Sequence, residues 1–524
     1  MELADLSPSA REGNVALIHE ETARYHGDAT ALEHSTDAFT HEEFADESAE
    51  FAGALTEFGD PGEVLFLHLL NGPAYLIGSL GALKAGMAVS PVNPTYQPRE
   101  LAYQLEHSSA AVVLTHVALL PILEKALAEV ARSPTIICVD HPGGKTDSGR
   151  TVHSFAELRG EPTLLKRSDD DLALLPYTSG TTGRPKGVRL THRNVRAQFY
   201  NVLAESNPIE DEGIRSLVWL PLYHIAGFVH AAWQPLVRGG SLFLRSTAEW
   251  NAEEAMKLIE RERITHFVGV TAMYVDMVEN EAFGEYDLSS LVWAAEGGAK
   301  LSGAVQERFE ETAHIEMIEG YGLTETSGVT HVQIGASFGL RPGTVGQPTR
   351  FTDCKLVDDD GAEVMPGETG ELLVRGPHVM DGYHNDPEAT AEAFTEHGYF
   401  KTGDIARRDR DNYYEIVDRK TDMIVSAGYN IYPSELEELL LSYDGVADGV
   451  IVGVPDERRN EVPKAFVVPA RGVEPGDDIT AEEIQEFFLD SLAPYKHPRE
   501  VEFVRTLPRT TSGKVKKYKL REEE

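Results

Sequence analysis

Residues 174–194 read LLPYTSGTTGRPKGVRLTHRN, and the reading of this stretch decides the fold. A short apolar run, Leu172 to Leu175, leads into hydroxyls, glycines and one lysine. That composition is wrong for a core and suited to anions. Glycines let backbone N–H groups approach an oxyanion closely, and Ser/Thr hydroxyls add donors. Thr178, Ser179, Gly180, Thr181, Thr182, Gly183 and Lys186 therefore read as a cradle for a nucleotide's phosphates. A loop of this composition can also be a mobile surface segment. It is not the common P-loop, because no Gly-Lys-Ser/Thr follows at the required spacing.

The rest of the chain bounds what such a loop can serve. With 524 residues, two or three domains are expected. Hydrophobic residues make up 41% and aromatic residues 8%, as in a folded globular protein. Charge is the outlier: 47 basic against 86 acidic residues, net −39, scattered along the chain. Such a surface stays hydrated in high salt, so a halophilic source is expected. Binding to nucleic acid or an anionic membrane is disfavoured. Cys138 and Cys354 form no ligand cluster, and free thiols in a reducing cytoplasm are expected. The start, MELADLSPSAREGN, lacks a basic region followed by an apolar core, so no signal peptide is expected. The longest apolar region, Tyr75 to Val92, is broken by Gly78, Gly81, Lys84 and Gly86, and reads as a buried helix and strand.

Periodicity gives an α/β rhythm. Phe44, Phe51, Leu55 and Phe58 recur at helical spacing, followed by a run at Val64–Leu70, a helix over Pro73–Lys84 and a run at Met87–Pro91. Ala110–Leu114, a helix over Leu119–Arg132, and Thr135–Val139 continue it. It returns at Leu217–Leu220, Ser241–Leu244, the helix Ala252–Arg263 and the strand His266–Val270. Layered α/β structure with largely parallel sheet follows. From about Ser337 the texture turns to glycines, prolines and short β-like runs, as in an antiparallel or barrel-like subdomain. Ser434 with Glu437, and Thr480 with Glu483, read as capping boxes of two helices in a compact C-terminal unit. Two domains are expected, 1–418 and a small α+β unit, 419–524, that moves.

Further glycine-bearing motifs stand downstream. They are Pro221-Leu222-Tyr223-His224, Glu296-Gly297-Gly298-Ala299, Gly320-Tyr321-Gly322-Leu323-Thr324-Glu325-Thr326, Lys401-Thr402-Gly403-Asp404, Asp418-Arg419-Lys420-Thr421-Asp422 and Thr511-Ser512-Gly513-Lys514. With the opening loop, these resemble, in order, the motifs of the adenylate-forming superfamily: acyl-CoA synthetases, peptide-synthetase adenylation domains and luciferases. Taken alone, several could be ordinary turns or solvated charges.

The resemblance implies roles. Gly297, Gly298 and Ala299 lie along adenine, Tyr321 stacks on it beside Gly322, and Thr324 contacts the α-phosphate. Glu325 holds Mg²⁺, for which one carboxylate suffices when phosphate oxygens complete the shell. Asp404 accepts the ribose hydroxyls, and Arg419 contacts ribose or phosphate. Gly428 lines the pantetheine tunnel of CoA. Lys514 bridges substrate carboxylate and α-phosphate, with Thr182, Glu325 and His224 as its catalytic companions. Thr421 departs from the usual Asp or Lys of the hinge.

The expectation is an ATP- and Mg²⁺-dependent acid–thiol ligase, making acyl-CoA through an acyl-adenylate. The expected pocket residues, His224, Phe228, Met273, Tyr274, Gly298 and Val329, include no arginine or lysine. That favours a medium- or long-chain fatty acid, with an aryl acid as the alternative. An enzyme loading a carrier protein, a luciferase-like oxygenase and a non-catalytic nucleotide-binding relative are the rivals. The expected partners are the carboxylate, ATP and CoA, with a homodimer admitted and no integral membrane segment.

Overall fold

The computed structural model describes residues 11–522, apart from 36, 147, 179–184, 206–212, 298–302, 334–338, 427–428, 457, 493–495 and 510–514. The chain forms two compact units: Met1–Asp353 with Val374–Phe400, and Cys354–Leu373 with Lys401–Glu524.

In the larger unit, one sheet carries the candidate site, and six of its strands are labelled here. They are β1 (Arg215–Val218), β2 (Ser241–Leu244), β3 (His266–Gly269), β4 (Trp293–Glu296), β5 (Ile318–Leu323) and β6 (Gly328–Val332). Their order is β6-β5-β4-β3-β1-β2, continued beyond β2 by Thr30–His34 and Asp37–Thr40 and beyond β6 by Gln347–Pro348. Neighbours from β5 to β2 run parallel, while β5 and β6 are antiparallel. Parallel neighbours bring the carboxyl ends of β1, β3 and β4 to one edge, where ligands bind in open α/β sheets.

A second sheet runs Tyr177–Thr178, Lys186–Thr191, Leu172–Leu174, Ala88–Pro91, Val64–His68, Val112–His116, Thr135–Val139 and onward. Its centre is parallel and fully buried, so its strands read as unbroken apolar runs. The helix His41–Leu55 starts at a Thr40–Glu43 capping box and buries Phe44, Phe51 and Leu55. Each such side chain contributes about 2 kcal/mol.

The helix Pro73–Lys84 has proline at its start and is buried from Tyr75 to its last residue. Lys84 is fully buried there. Its ammonium donates to Ala45 O at 2.7 Å and Ser48 Oγ at 2.8 Å, and pairs with Glu20. Burial lowers its pKa, and Glu20 works against that.

The expected helix over Leu119–Arg132 is shorter, Leu120–Leu127, after a 3₁₀ turn at Val117–Leu119. No helix of the described residues is long and apolar enough to cross a membrane.

The smaller unit holds most of a four-stranded sheet, in the order Asp353–Val357, Thr369–Arg375, Phe400–Arg408 and Tyr414–Arg419. A further sheet is ordered Tyr429–Ile431, Ile424–Ser426, Asn460–Pro469 and Val446–Asp456, with Glu500–Phe503 parallel to Asn460–Pro469. Ile424, Leu436, Ile451, Val467, Ile484 and Phe488 fill its core.

Thr480 and Glu483 cap the helix Ala481–Ser491 reciprocally, as expected. Ser434 and Glu437 do not form the expected box. The helix starts at Pro433, Ser434 Oγ donates to Val417 O and to Asp418, and Glu437 accepts from Ile451 N. Both side chains are drawn to tertiary partners, which outcompete the local cap.

Candidate active site

The phosphate-loop candidates Ser179 to Gly183 lie outside the described residues, but their flanks are placed. Thr178 pairs with Lys186, and Tyr177 with Gly187, across an antiparallel ladder. Tyr103 Oη donates to Pro185 O at 2.9 Å, which fixes the return of the loop. Lys186 opens the strand Lys186–Thr191, and its ammonium stands 4.9 Å from the centre of the Tyr383 ring.

Tyr383 ties two expected motifs together. Gly382–Tyr383 pairs with Val188 and Arg189, and Tyr383 Oη donates to Glu325 Oε1 at 3.1 Å. Burial, then the Glu325 charge, raises the phenol's pKa, so it remains a donor. Glu325 lies in a 3₁₀ turn, Thr324–Thr326, after β5, and its carbonyl accepts from Met380 N at 2.8 Å. Lys186, Tyr383 and Glu325 are thus brought together from distant stretches. Tyr383 stands outside the motifs singled out in the sequence, and only the fold brings it to Glu325.

Tyr321 pairs with His331 across β5 and β6. At Gly322 an added Cβ would lie 2.1 Å from Gly328 O, so the protein itself demands glycine there. Gly297 differs: a Cβ would meet nothing nearer than Gly320 O at 3.9 Å. Glu296, just before it, is buried and accepts from Thr271 Oγ1 at 2.7 Å. Gly298 and Ala299 lie outside the described residues.

The segment Leu220–Leu222 is held by Asn71. Its side chain donates to Leu220 O at 2.8 Å and Arg245 O at 3.1 Å, and accepts from Leu222 N at 2.9 Å. His224 follows, exposed, with its ring 4.7 Å from that of Tyr223. A π-helix, Ala226–Trp233, comes next, a form that often marks functional positions. Its Gly227 is close-packed: a Cβ would stand 2.2 Å from Pro221 O.

Between this helix and the sheet lies a cavity with about 640 Å³ of empty space, its solvent-open part included. Ile214, Val268, Ala295, Val329 and Val332 make its apolar walls. His230 also lines it; its Nε2 accepts from Val329 N at 3.2 Å, and burial lowers its pKa to about 4, so it is neutral. Gly328 makes room for that ring, since a Cβ there would lie 2.1 Å from His230 Nε2.

Of the expected pocket residues, Val329 lines this cavity. Phe228 is buried against Tyr75 and Trp233, and Tyr274 Oη donates to Ala295 O at 2.9 Å behind the β4 turn. Met273 is buried on the helix Thr271–Glu279. Ser216, Gln234, Pro235, Arg238, His266 and Trp293 complete the lining, so among the described residues this cavity carries one cation, Arg238. These residues come from separate strands and a helix, with no contiguous motif to announce them.

In the smaller unit, Asp404 and Arg419 face each other across an antiparallel ladder. Arg419 Nε pairs with the buried Asp404 Oδ1 at 2.7 Å. Asp418 accepts from Ser434 N at 2.9 Å, and Asp422 pairs with Arg521 at 3.1 Å. Gly428 and Lys514 lie outside the described residues. The flank of Lys514 is placed, because Val515 bridges to Arg509 and Lys516 N donates to Pro508 O at 2.7 Å. Of the basic run after Lys514, Lys517 is paired with Glu437 at 2.9 Å and Arg521 with Asp422.

Comparison with known proteins gives the family. The AMP-binding enzyme model matches residues 19–384, and the AMP-binding enzyme C-terminal domain matches 435–514. A feruloyl-CoA synthase of an Amycolatopsis species is 37% identical over 95% of this chain and 96% of its own. A long-chain-fatty-acid–CoA ligase of Bacillus subtilis is 33% identical over 97% of this chain and 94% of its own. The crystal structure of an anthranilate CoA ligase with anthranoyl-AMP superposes with a TM-score of 0.87, at 26% identity, over 100% of this chain and 99% of its own. The chain belongs to the AMP-binding enzyme family and is an AMP-forming acid–CoA ligase.

Proposed function

We propose that the enzyme activates a carboxylic acid with a compact apolar body, a medium-chain fatty acid or an aryl acid. The single observation that carries this reading is the cavity beside β4, walled by Val268, Ala295 and Val329, with Trp293 and Arg238 also in its lining and Trp293 two residues deeper on its strand than Ala295. A long alkyl chain would have to pass those two bulky side chains.

In this reading the Thr178–Lys186 loop cradles the phosphates of ATP. Lys186 offsets their charge beside Tyr383. Gly297 supports an adenine or acyl group passing close to its backbone, since its own neighbours leave the space open. Glu325 is the protein ligand for Mg²⁺, and Tyr383 orients its carboxylate. No group of three or more His, Cys, Asp or Glu side chains among the described residues forms a metal cage. A single carboxylate fits an ion whose shell is completed by phosphate oxygens and water. When bound, Mg²⁺ supplies charge neutralisation on the phosphates.

The substrate carboxylate attacks the α-phosphorus, pyrophosphate leaves, and Lys514 screens the two anions that must meet. Asp404 holds the ribose hydroxyls, and Arg419 lies beside it. The CoA thiolate then attacks the acyl carbonyl and AMP departs, with residues from Arg419 onward moving as one body and Gly428 lining the thiol's path. The excess of acid over base, 86 against 47 residues, supports a salt-adapted source, and the two free cysteines support a reducing cytoplasm.

A panel of acids of graded length and ring content tests this in molar salt, with ATP, Mg²⁺ and CoA, following AMP and acyl-CoA. Highest kcat/KM on medium-chain or aryl acids is expected. Highest kcat/KM on long-chain acids would sink the compact-acid reading.

A further inference from the structure

The inner end of the same cavity is polar in a way that the reading above does not use. Ser216 stands opposite His266, and His266 opposite Trp293, so these three lie abreast on β1, β3 and β4. His266 and Trp293 are the first residues of their strands. They therefore lie at the end of the cavity remote from the carboxyl edge. Gly297 lies four residue steps beyond Trp293, which sets this row about 13 Å below the β4 turn at the usual strand rise.

Among the described residues, three buried polar atoms in this lining have no hydrogen-bond partner: His266 Nε2, Gln234 Oε1 and Trp293 Nε1. Unpaired polar atoms in an interior are rare and call for an explanation. Gln234 is 5% exposed and His266 6%. The orientation of each is fixed by its other end. Gln234 Nε2 donates to Phe199 O at 3.3 Å, which leaves Oε1 as a free acceptor. His266 Nδ1 shares a hydrogen bond with Thr265 Oγ1 at 2.8 Å, and Thr265 Oγ1 also accepts from Arg215 N at 2.8 Å. Nδ1 is thereby occupied, and Nε2 is the ring nitrogen left unpaired among the described residues. Burial, then the charge of Arg238, lowers the His266 pKa to about 3, so the ring is neutral.

Trp293 Nε1 is a donor, and Arg238 adds a half-buried guanidinium. Burial alone lowers the Arg238 pKa, with no carboxylate among the described residues to offset it. The row thus presents acceptors and donors together, around a space that apolar walls surround.

We infer that this row is a recognition floor for a hydroxyl at the substrate's far end, and that the acid is a hydroxyaryl carboxylic acid. The inference rests on the compact-acid reading of the cavity. A hydroxyl gives its proton to Gln234 Oε1 and accepts N–H from Trp293 and Arg238, with His266 Nε2 beside them. A distal carboxylate, having no proton, would leave Gln234 Oε1 unpaired and facing its charge. A methyl group would leave all of them unpaired. An aromatic ring carries the hydroxyl across the cavity rigidly, whereas an alkyl chain would lose rotamer freedom to do so.

The test is kcat/KM for adenylation, read as pyrophosphate release, on 4-hydroxycinnamate, cinnamate, 4-carboxycinnamate and a long-chain fatty acid. The native enzyme should favour 4-hydroxycinnamate over cinnamate by at least roughly 100-fold, as buried groups left unpaired reject the analogue that lacks the hydroxyl. Trp293→Phe and Gln234→Met should each cut that ratio several-fold. The ratio compares two acids on one preparation, so loss of folded protein cancels from it. Equal kcat/KM on cinnamate and 4-hydroxycinnamate would overturn the floor while leaving the compact-acid reading intact. Preference for 4-carboxycinnamate would overturn the hydroxyl in favour of an anion read by Arg238. Activity on the long-chain acid alone would overturn both readings.

Discussion

The two units keep charge out of their interiors by different means. The larger buries neutral imidazoles. Burial lowers His41, His68, His192, His230 and His378 to about 4, and His266 and His331 to about 3. Of the chain's 19 histidines, the smaller unit holds only His497. It relies on ion pairs at half-buried positions: Lys517–Glu437, Lys496–Glu435, Arg521–Asp422 and Lys464–Glu502. The contrast teaches that acid should strike one unit first.

The largest effect should come from pH. A histidine whose folded pKa is depressed leaves stability intact above its unfolded value, near 6.5. Below that, the unfolded chain takes up protons that the folded one refuses. Stability is therefore lost as pH falls from about 6.5 towards 4, at about 1.4 kcal/mol per histidine per pH unit. All four tryptophans, Trp219, Trp233, Trp250 and Trp293, lie in the larger unit, so their fluorescence reports it alone. Between pH 7 and 5 their unfolding midpoint should fall steeply, while amide protection in Val446–Asp456, corrected for the intrinsic pH dependence of exchange, changes little. Parallel loss in both units would break the comparison.

Next come the buried lysines. Lys84→Ala strands Glu20 in the larger unit and should cost about 4 kcal/mol in denaturant unfolding followed by tryptophan. Lys517→Ala strands Glu437, and should cost somewhat less because Lys517 keeps 16% side-chain exposure. Its loss should appear as faster exchange in Val446–Asp456 with little change in the tryptophan signal.

The chemistry should divide along the same line. Lys514→Ala should slow adenylation by roughly 100-fold or more, yet spare thioester formation from supplied acyl-adenylate. Loss of both half-reactions with the fold intact would refute that division. The smallest effect expected is on Tyr383→Phe, which removes the hydrogen bond to Glu325 and should lower adenylation by about ten-fold. Its thermal stability should be unchanged within about 1 kcal/mol.

What could be read from the sequence follows from distance along the chain. The helix Pro73–Lys84 and the strand Ser241–Leu244 have the expected bounds, because pattern and turn residues agree locally. The Thr480–Glu483 box is legible since both partners lie within one helical turn. Ser434 and Glu437 have the same spacing and were claimed instead by Asp418, Ile451 and Lys517, which no local rule reveals. The site divides likewise. Lys186 and Glu325 stand in contiguous motifs, whereas Gln234, Arg238, His266 and Trp293 converge only because β1, β3 and β4 lie side by side.

Asn71 has a consequence of its own. It follows a strand of the second sheet, and its one carboxamide grips Leu220, Leu222 and Arg245 beside the first. The two sheets are thereby spliced at the root of the segment that leads into the π-helix. Any sliding of one against the other must drag Pro221–His224 along or snap three hydrogen bonds at once. The joint behaves as a rivet, fixing the alignment of the cavity beside β4 with the strand that carries Lys186.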